Sequence, residues 1–570
     1  MKYKIFAYIL IVTAMVACQD DFLERPPLDR LTDETYWTTE ENVRTFAWGF
    51  YPEFFSGYGS GFTWGRYFTG QSLNDDFSAS NPAQFRLQPV TAAGTNYWRF
   101  SWIRKANLFI NRIQTVPMSE EAINHWTGVA RFFRALEYAN MVNQFGDVPW
   151  FEEEVSDQDP SQLFRPRDPR TFVMDRVLED FQFAVANVRT QDGTAGLTVN
   201  KDVVLAFMSQ VMLFEGSWQK YHDGNNTKAS EYFEAAKWAA DQLINSGRYT
   251  LGNYREVFTS INLAGNPEVI LYRHYEAGML THSLMSYNNT GEAQTGVSKN
   301  AIDAYLADDG LPIGISSKYQ GDRTREQMMA NRDPRLYETF VSYEYRINGI
   351  VPNYSTTGIA THKYLNEEIR NSVEGFSNLN ITDAPVIRYG EVLMNYAEAA
   401  AELSSLGGTA FSQADLDKSI NVLRARPGIN MPPVSLAGNG FAVNGIAYTD
   451  PNQDQSVPPV LWEIRRERRI ELMMEGFRLD DLRRWKKLEY TDTQANPSIN
   501  RGAWITRAAY PLLQSSVVLS EGSEGYIIPA SVAASQRIFN NPRVYLDPVP
   551  IDQIALYREN GVELEQNPGW

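Results

Sequence analysis

The chain has 570 residues, of which 13% are aromatic, and a formal net charge of −17 at pH 7. This negative charge disfavours nucleic acids and anionic membrane surfaces as partners. The single cysteine excludes disulfides and cysteine-based zinc sites within the chain, and the five histidines form no HExxH pair. We therefore expect no metal and no cofactor.

The first residues have the pattern of a secretory signal peptide, which we assign to residues 1–17. Two lysines precede an almost unbroken apolar run over 5–17, which is shorter than the roughly 20 residues that span a bilayer. The run ends in Met-Val-Ala before Cys18, a sequence similar to a bacterial lipobox. The pattern predicts a lipid anchor on Cys18 and an acidic tether over 18–27.

The segment 56–97 is rich in glycine and aromatic residues, and an Asn-Asp-Asp sequence follows the first glycines. Glycine at this density predicts loops. Rings on loops beside carboxylates and amides suit a carbohydrate site, because sugar C–H faces pack on rings and hydroxyls pair with polar groups. The predicted ligand contacts are Trp64 and Tyr67 as stacking platforms and Asp75 and Arg86 as hydroxyl partners. Folding of these rings into the core remains the alternative.

Amphipathic patterns predict a helical repeat scaffold over about 98–247 and again over about 385–490. A seam of small residues in one helix allows close helix pairing, which favours tetratricopeptide-like pairs although no 34-residue consensus is visible. Between the two blocks, about 248–384 is less regular. This irregular segment contributes Tyr287 and Asn288 as further candidate ligand contacts.

The stretch 461–489 predicts one long helix, bent at Gly476. Its glutamates recur every four residues with arginines between them, so the spacing predicts ion pairs along the helix. Apolar residues point in nearly every direction, which indicates burial. We interpret the stretch as internally paired scaffold rather than active site.

Seven motifs lie in order along the chain, namely FGDVP (145–149), SKNAIDAY (298–305), NRDPRL (331–336), the segment 383–399, ERRIELMMEGFR (467–478), DLRRW (481–485) and QNPGW (566–570). Together they resemble those of the SusD/RagB family of outer-membrane nutrient-binding lipoproteins. The resemblance extends from Cys18 to Trp570 and implies a mainly α, SusD-like fold. It also implies a single domain over 28–570, in which a tetratricopeptide-like helix-pair scaffold supports a loop-rich segment that carries the ligand site.

The chain shows no GxSxG motif and no P-loop, and Cys18 is committed to the anchor. The resemblance implies a cell-surface lipoprotein of a starch-utilisation-like uptake system, anchored in the outer membrane and facing the exterior. Such a protein binds oligosaccharide or polysaccharide and delivers it to a SusC-like TonB-dependent transporter, without catalysis. Three alternatives stay open, namely a peptide-capturing RagB-like protein, a surface glycoside hydrolase and a scaffold without a ligand.

Overall fold

The structure is a computed structural model that describes residues 33–67, 73–84, 98–155, 160–289, 294–350, 355–533 and 536–570. Side chains of Thr39, Ser119, Asn200 and Asn225 accept backbone N–H groups at helix starts, which stabilises those ends. The helices of the first half are α1 (Asp33–Tyr36), α2 (Glu40–Trp48), α3 (Tyr51–Phe54), α4 (Ser101–Ile113), α5 (Glu120–Phe145), α6 (Pro160–Leu163), α7 (Arg170–Asn187), α8 (Lys201–Trp218) and α9 (Asn226–Ser246).

Helices of the second half are shorter, apart from two that complete the scaffold. Within the scaffold α5 packs along α7, α8 along α9, and α9 against the helix Tyr389–Ser405, as the predicted helix pairs require. These helices are α10 (Glu256–Thr259), α11 (Leu284–Asn288), α12 (Lys299–Ala304), α13 (Arg325–Met329), α14 (Arg335–Thr339), α15 (Tyr389–Ser405), α16 (Gln413–Lys418), α17 (Ile420–Arg424), α18 (Pro459–Glu471), α19 (Arg478–Arg484) and α20 (Ile551–Glu559).

The strands are short and antiparallel. They are β1 (Phe77–Ser78), β2 (Val269–Arg273), β3 (Gly296–Val297), β4 (Ala384–Arg388), β5 (Val434–Ala437), β6 (Gly440–Val443), β7 (Ile446–Ala447), β8 (Trp504–Thr506) and β9 (Glu524–Tyr526). β1 pairs with β3, β2 with β4, and β8 with β9, while β5, β6 and β7 form one sheet. The β2–β4 pair brings both ends of the irregular segment to the helical scaffold.

Two large hydrophobic cores share α18. Leu461 and Ile464 of this helix pack into the core formed by the helical scaffold. Ile470, at its other end, and Met473 and Met474 just beyond it pack into the core of the irregular segment. The helix therefore joins the two parts of the molecule.

The prediction of one continuous helix over 461–489 is wrong, because the structure has two helices in this stretch. α18 ends early, and the chain turns through 472–477 before α19 begins. In a longer helix the Met473 carbonyl would accept a backbone N–H of the helix, but here it accepts a hydrogen bond from the Lys363 ammonium at 2.7 Å. Gly476 has φ +84°, a left-handed conformation that glycine tolerates and a continuing helix excludes.

The predicted ion pairs along α18 are mostly wrong as well. Only Glu463 and Arg466 pair within the described part of this helix, at 3.4 Å. Because α18 is buried on several sides, its other charges meet distant elements, and neighbouring arginines lower the pKa of Glu471 to about 2 although burial alone would raise it. Ten buried side chains make up this central charge network: Arg335, Lys363, Arg388, Arg424 and Arg426 with Glu268, Asp333, Glu467, Glu471 and Glu475.

Candidate ligand-binding site

The glycine-rich loop of residues 56–67 folds back on itself. Gly65 has φ +56°, and a Cβ atom at this position would collide with the carbonyl oxygen of Gly57. Only glycine fits this approach. The loop is tied by a backbone hydrogen bond of 3.0 Å to the segment 279–289, which includes α11. We call these two segments together the loop face.

Trp64 and Tyr287, both predicted ligand contacts, lie together at the loop face. The Trp64 ring is partly exposed, its Nε1–H donates to the Ser283 hydroxyl at 3.1 Å, and its centroid lies 4.5 Å from that of Tyr287. Tyr287 is buried, and its hydroxyl accepts the Thr295 N–H at 2.8 Å. Burial raises the pKa of Tyr287 to about 12, so the phenol is neutral. The pair forms a fixed aromatic platform.

Tyr67 and Asn288 lie close to Trp64 and Tyr287 in sequence, and both are buried. The Tyr67 ring packs against Tyr58 at 4.8 Å and Tyr364 at 5.4 Å, and its hydroxyl donates to the Pro385 carbonyl. The Asn288 amide donates to the carbonyl one helical turn earlier at 3.0 Å. Both side chains are thus hydrogen-bonded within the protein, and the ligand contacts predicted for them stay predictions.

Asp75 is also buried, and it is held by two arginines. Arg478 donates to both carboxylate oxygens, at 2.6 and 2.7 Å, and Arg469 lies 3.3 Å away. Burial would raise the pKa of Asp75, but the two guanidinium groups hold it below its usual range. The ligand contact predicted for Asp75 stays a prediction, and Arg86 and Cys18 lie outside the described residues.

His282 lies in the same segment as the platform and is fully buried against the ring of Tyr275, at 4.6 Å. Its Nδ1 accepts the Leu284 N–H at 3.1 Å, so the ring proton is on Nε2, which donates to the Thr382 carbonyl at 3.0 Å. Burial, reinforced by the charge of Arg273, lowers the pKa of His282 to about 3. The ring is therefore neutral in the folded protein.

This histidine is expected to reduce stability as the pH falls. Because its folded pKa is below the unfolded value near 6.5, the unfolded chain binds the proton first, and stability is lost progressively below pH 6.5. Between pH 7.5 and 5.0 the loss from this one group is about 2 kcal/mol. Urea unfolding of the wild type and of His282→Asn at both pH values measures it. An equal pH dependence in the two proteins would contradict the assignment.

A cavity of about 500 Å³ lies between α12, α18, α19 and the segments 450–454 and 490–498. Asp75 lies in its wall. The stretch 461–489, which we interpreted as scaffold, contributes four arginines and two tryptophan rings, and Tyr490, the next residue, contributes a third ring. Sequence reasoning missed these residues. The sequence did contain a signal for this cavity, namely arginines between Trp462 and Trp485. Aromatic rings beside polar groups are the same pattern from which we predicted ligand contacts in segment 56–97.

A model of the SusD family matches residues 267–570, just over half of the chain. The chain belongs to the SusD family. Over 510 residues this SusD-family protein is 24% identical to a SusD-like protein of Formosa agariphila, in a match that covers 84% of this chain and 90% of the relative. The family predicted from the motifs is confirmed.

Solved structures share the fold of this SusD-family protein. A SusD-like carbohydrate-binding protein of Bacteroides fragilis superposes with a TM-score of 0.66 at 22% identity, covering 92% of this chain and 99% of that one. Surface glycan-binding protein A of Bacteroides fluxus gives a TM-score of 0.58 at 16% identity, covering 94% and 100%. The predicted mainly helical, tetratricopeptide-like fold is confirmed.

In the described ranges of this SusD-family protein, no helix is long and apolar enough to cross a membrane. The side chains described there also include no group of three or more His, Cys, Asp or Glu residues placed to hold a metal ion. The loop face and the cavity are the two places that we consider for ligands.

Proposed function

We propose that this protein captures glycans at the cell surface through the loop face and delivers them to a SusC-like TonB-dependent transporter, without catalysis. The observation that carries the proposal is the fixed Trp64 ring. Its N–H is bonded to Ser283 and its ring rests against Tyr287, while part of it stays exposed. Sugar C–H faces pack on such rings, and a ring already held in place loses little conformational entropy on binding.

Relatives support this ligand class. The chain belongs to the SusD family, and two proteins that share its fold are named for binding carbohydrate or glycan. The exposed side chains of Phe62 and Met279 extend the apolar surface of the same loop face. A broad apolar surface suits a ligand that is longer than one sugar unit.

The amino-terminal pattern supports attachment of the protein to the outer membrane. Residues 1–17 would be removed as a signal peptide, and lipid chains on Cys18 would anchor the domain through the tether at 18–27. In this arrangement the domain over 28–570 faces the cell exterior, beside the transporter that receives the glycan.

Replacing Trp64 by alanine is expected to weaken glycan binding at least about tenfold. Burial of an aromatic side chain contributes about 1.5–3 kcal/mol, and about 1.4 kcal/mol corresponds to a factor of ten. The measurement is native gel electrophoresis of the mature chain with Cys18→Ser in gels containing a panel of polysaccharides. Retardation by one polysaccharide should be lost in Trp64→Ala, with an unchanged circular dichroism spectrum.

Trp48→Ala provides the matched control, because Trp48 is an exposed tryptophan on α2 in the helical scaffold. This variant should keep full retardation. If no polysaccharide retards the wild type while a peptide digest releases heat in calorimetry, the protein is a peptide-capturing one instead. Release of sugar products from the polysaccharide would contradict the absence of catalysis.

A further inference from the structure

The cavity behind α18 has equal numbers of arginine and aspartate side chains in its wall, but their hydrogen bonding is unequal. Each aspartate has a basic partner. Asp75 pairs with Arg478, Asp303 with Lys299, Asp450 with Arg466, and Asp454 with Lys487. Their charge is therefore already compensated by the protein. The eight side chains are Arg465, Arg466, Arg469 and Arg478 with Asp75, Asp303, Asp450 and Asp454.

The arginines keep unused donors. In the described part of the chain, Nη1 of none of the four donates a hydrogen bond, because their protein partners are bonded through Nε and Nη2. Arg465 is the most buried of the four; its Nη2 donates to the Tyr221 hydroxyl at 2.8 Å and to Glu402 at 3.2 Å. Its Nε is buried and finds no acceptor among the described residues. This buried Nε is shielded from the cavity, whereas the unbonded Nη1 groups keep some accessible surface, so they are the donors that a ligand can use.

Three aromatic rings complete the wall, from Trp462, Trp485 and Tyr490. Their polar atoms are already bonded to carboxylates, as in Trp462 Nε1 to Asp450 at 2.9 Å and Trp485 Nε1 to Glu398 at 2.6 Å. The rings are thereby fixed in orientation. What they offer a ligand is apolar surface, and the arginines offer N–H groups.

We infer that this cavity binds an acidic sugar unit. The ligand carboxylate accepts hydrogen bonds from the unused guanidinium N–H groups, whose planar geometry matches it, and the C–H face of the sugar packs on the rings. Each arginine keeps its carboxylate partner in the protein, and a neutral sugar would offer the unused N–H groups only uncharged acceptors, which bind them less strongly. The volume of about 500 Å³ falls in the range of small-ligand sites. The inference goes beyond the proposed function, because this second site is separate from the loop face and selects a ligand by its charge.

Calorimetry on the mature chain with Cys18→Ser tests the inference, with D-galacturonate and D-glucuronate as probes and D-galactose and D-glucose as their neutral counterparts. We expect at least one uronate to bind about tenfold or more tightly than its neutral counterpart, which is the effect of a charge-assisted hydrogen bond. Arg466→Gln removes two donor groups while Trp462 still bonds Asp450, and it should weaken uronate binding about tenfold. Ala304→Phe keeps every charge but adds a ring to the cavity wall, and it should weaken uronate binding.

Uronate and hexose binding of equal strength would overturn the inference, as would the absence of heat with both uronates. Uronate binding of unchanged strength in both Arg466→Gln and Ala304→Phe would place the sugar elsewhere and also overturn it. Circular dichroism confirms that each variant folds. Trp64→Ala separates this inference from the proposed function, because it should remove polysaccharide retardation and keep uronate binding. If polysaccharide retardation fails, uronate binding can still be interpreted, and the reverse also holds.

Discussion

Arg388→Ala is expected to lower the free energy of unfolding by about 3–5 kcal/mol, since removing one member of a buried ion pair leaves charges without compensation. Arg388 is 2% exposed and donates to Glu268, Glu471 and Glu475 at 2.7–2.8 Å. Its side chain connects β4 to the carboxyl-terminal end of α18. Urea unfolding monitored by circular dichroism measures the change.

Arg176→Ala is the control for this variant. Arg176 also pairs with a glutamate, at 2.6 Å, but both side chains are more than a third exposed. Exposed pairs contribute only about 0–1 kcal/mol because water and salt screen them. A loss below about 1 kcal/mol in Arg388→Ala, similar to the control, would show that the central charge network contributes little to stability.

Gly476→Ala is expected to lower the free energy of unfolding by about 2–5 kcal/mol, from the left-handed backbone of a residue with a Cβ together with overpacking. The added Cβ atom would collide with the carbonyl oxygen of Arg66. The atoms nearest to the added Cβ are backbone atoms of Arg66 and Tyr67, so no flexible side chain can move to relieve the collision. Chemical unfolding again provides the measurement.

Gly561→Ala separates the two contributions to that loss. Gly561 has φ +77°, close to the value at Gly476, but a Cβ atom added there would have no other atom within 4 Å. Only the backbone contribution remains, and the expected loss is about 1–2 kcal/mol. Equal losses in the two variants would mean that the turn after α18 shifts to accommodate the methyl group.

Local signals explain what could be predicted from the sequence. Thr39 and Ser119 accept helix N–H groups as capping residues do, and Gly247 ends α9 in a left-handed conformation, so these helix ends follow from single residues. Trp64 and Tyr287 were found separately, from aromatic residues in irregular segments. Their contact across more than 200 residues was not predictable from either segment.

The charge partners of α18 could not be predicted for the same reason. Spacing along a helix suggests partners three or four residues away, whereas Glu467 pairs with Arg335, 132 residues earlier. Which partner a buried charge finds depends on the elements packed against each side of its helix. The cavity was missed because it lies between such elements, and no single segment contains it.

The position of α18 between two cores has a consequence for how the binding surface can diversify. No member of the central charge network comes from the loop face, so loop tips there can be exchanged without removing a buried charge. Arg66 and Tyr67 must be kept, because they pack beside Gly476 and Pro385 next to the network. A substitution at Glu471, by contrast, removes a carboxylate that Arg335, Arg388 and Arg426 share, and a fragment that lacks any one of these partners would carry uncompensated charge. New ligand preferences are therefore expected to arise by loop replacement on a scaffold that unfolds as one cooperative unit.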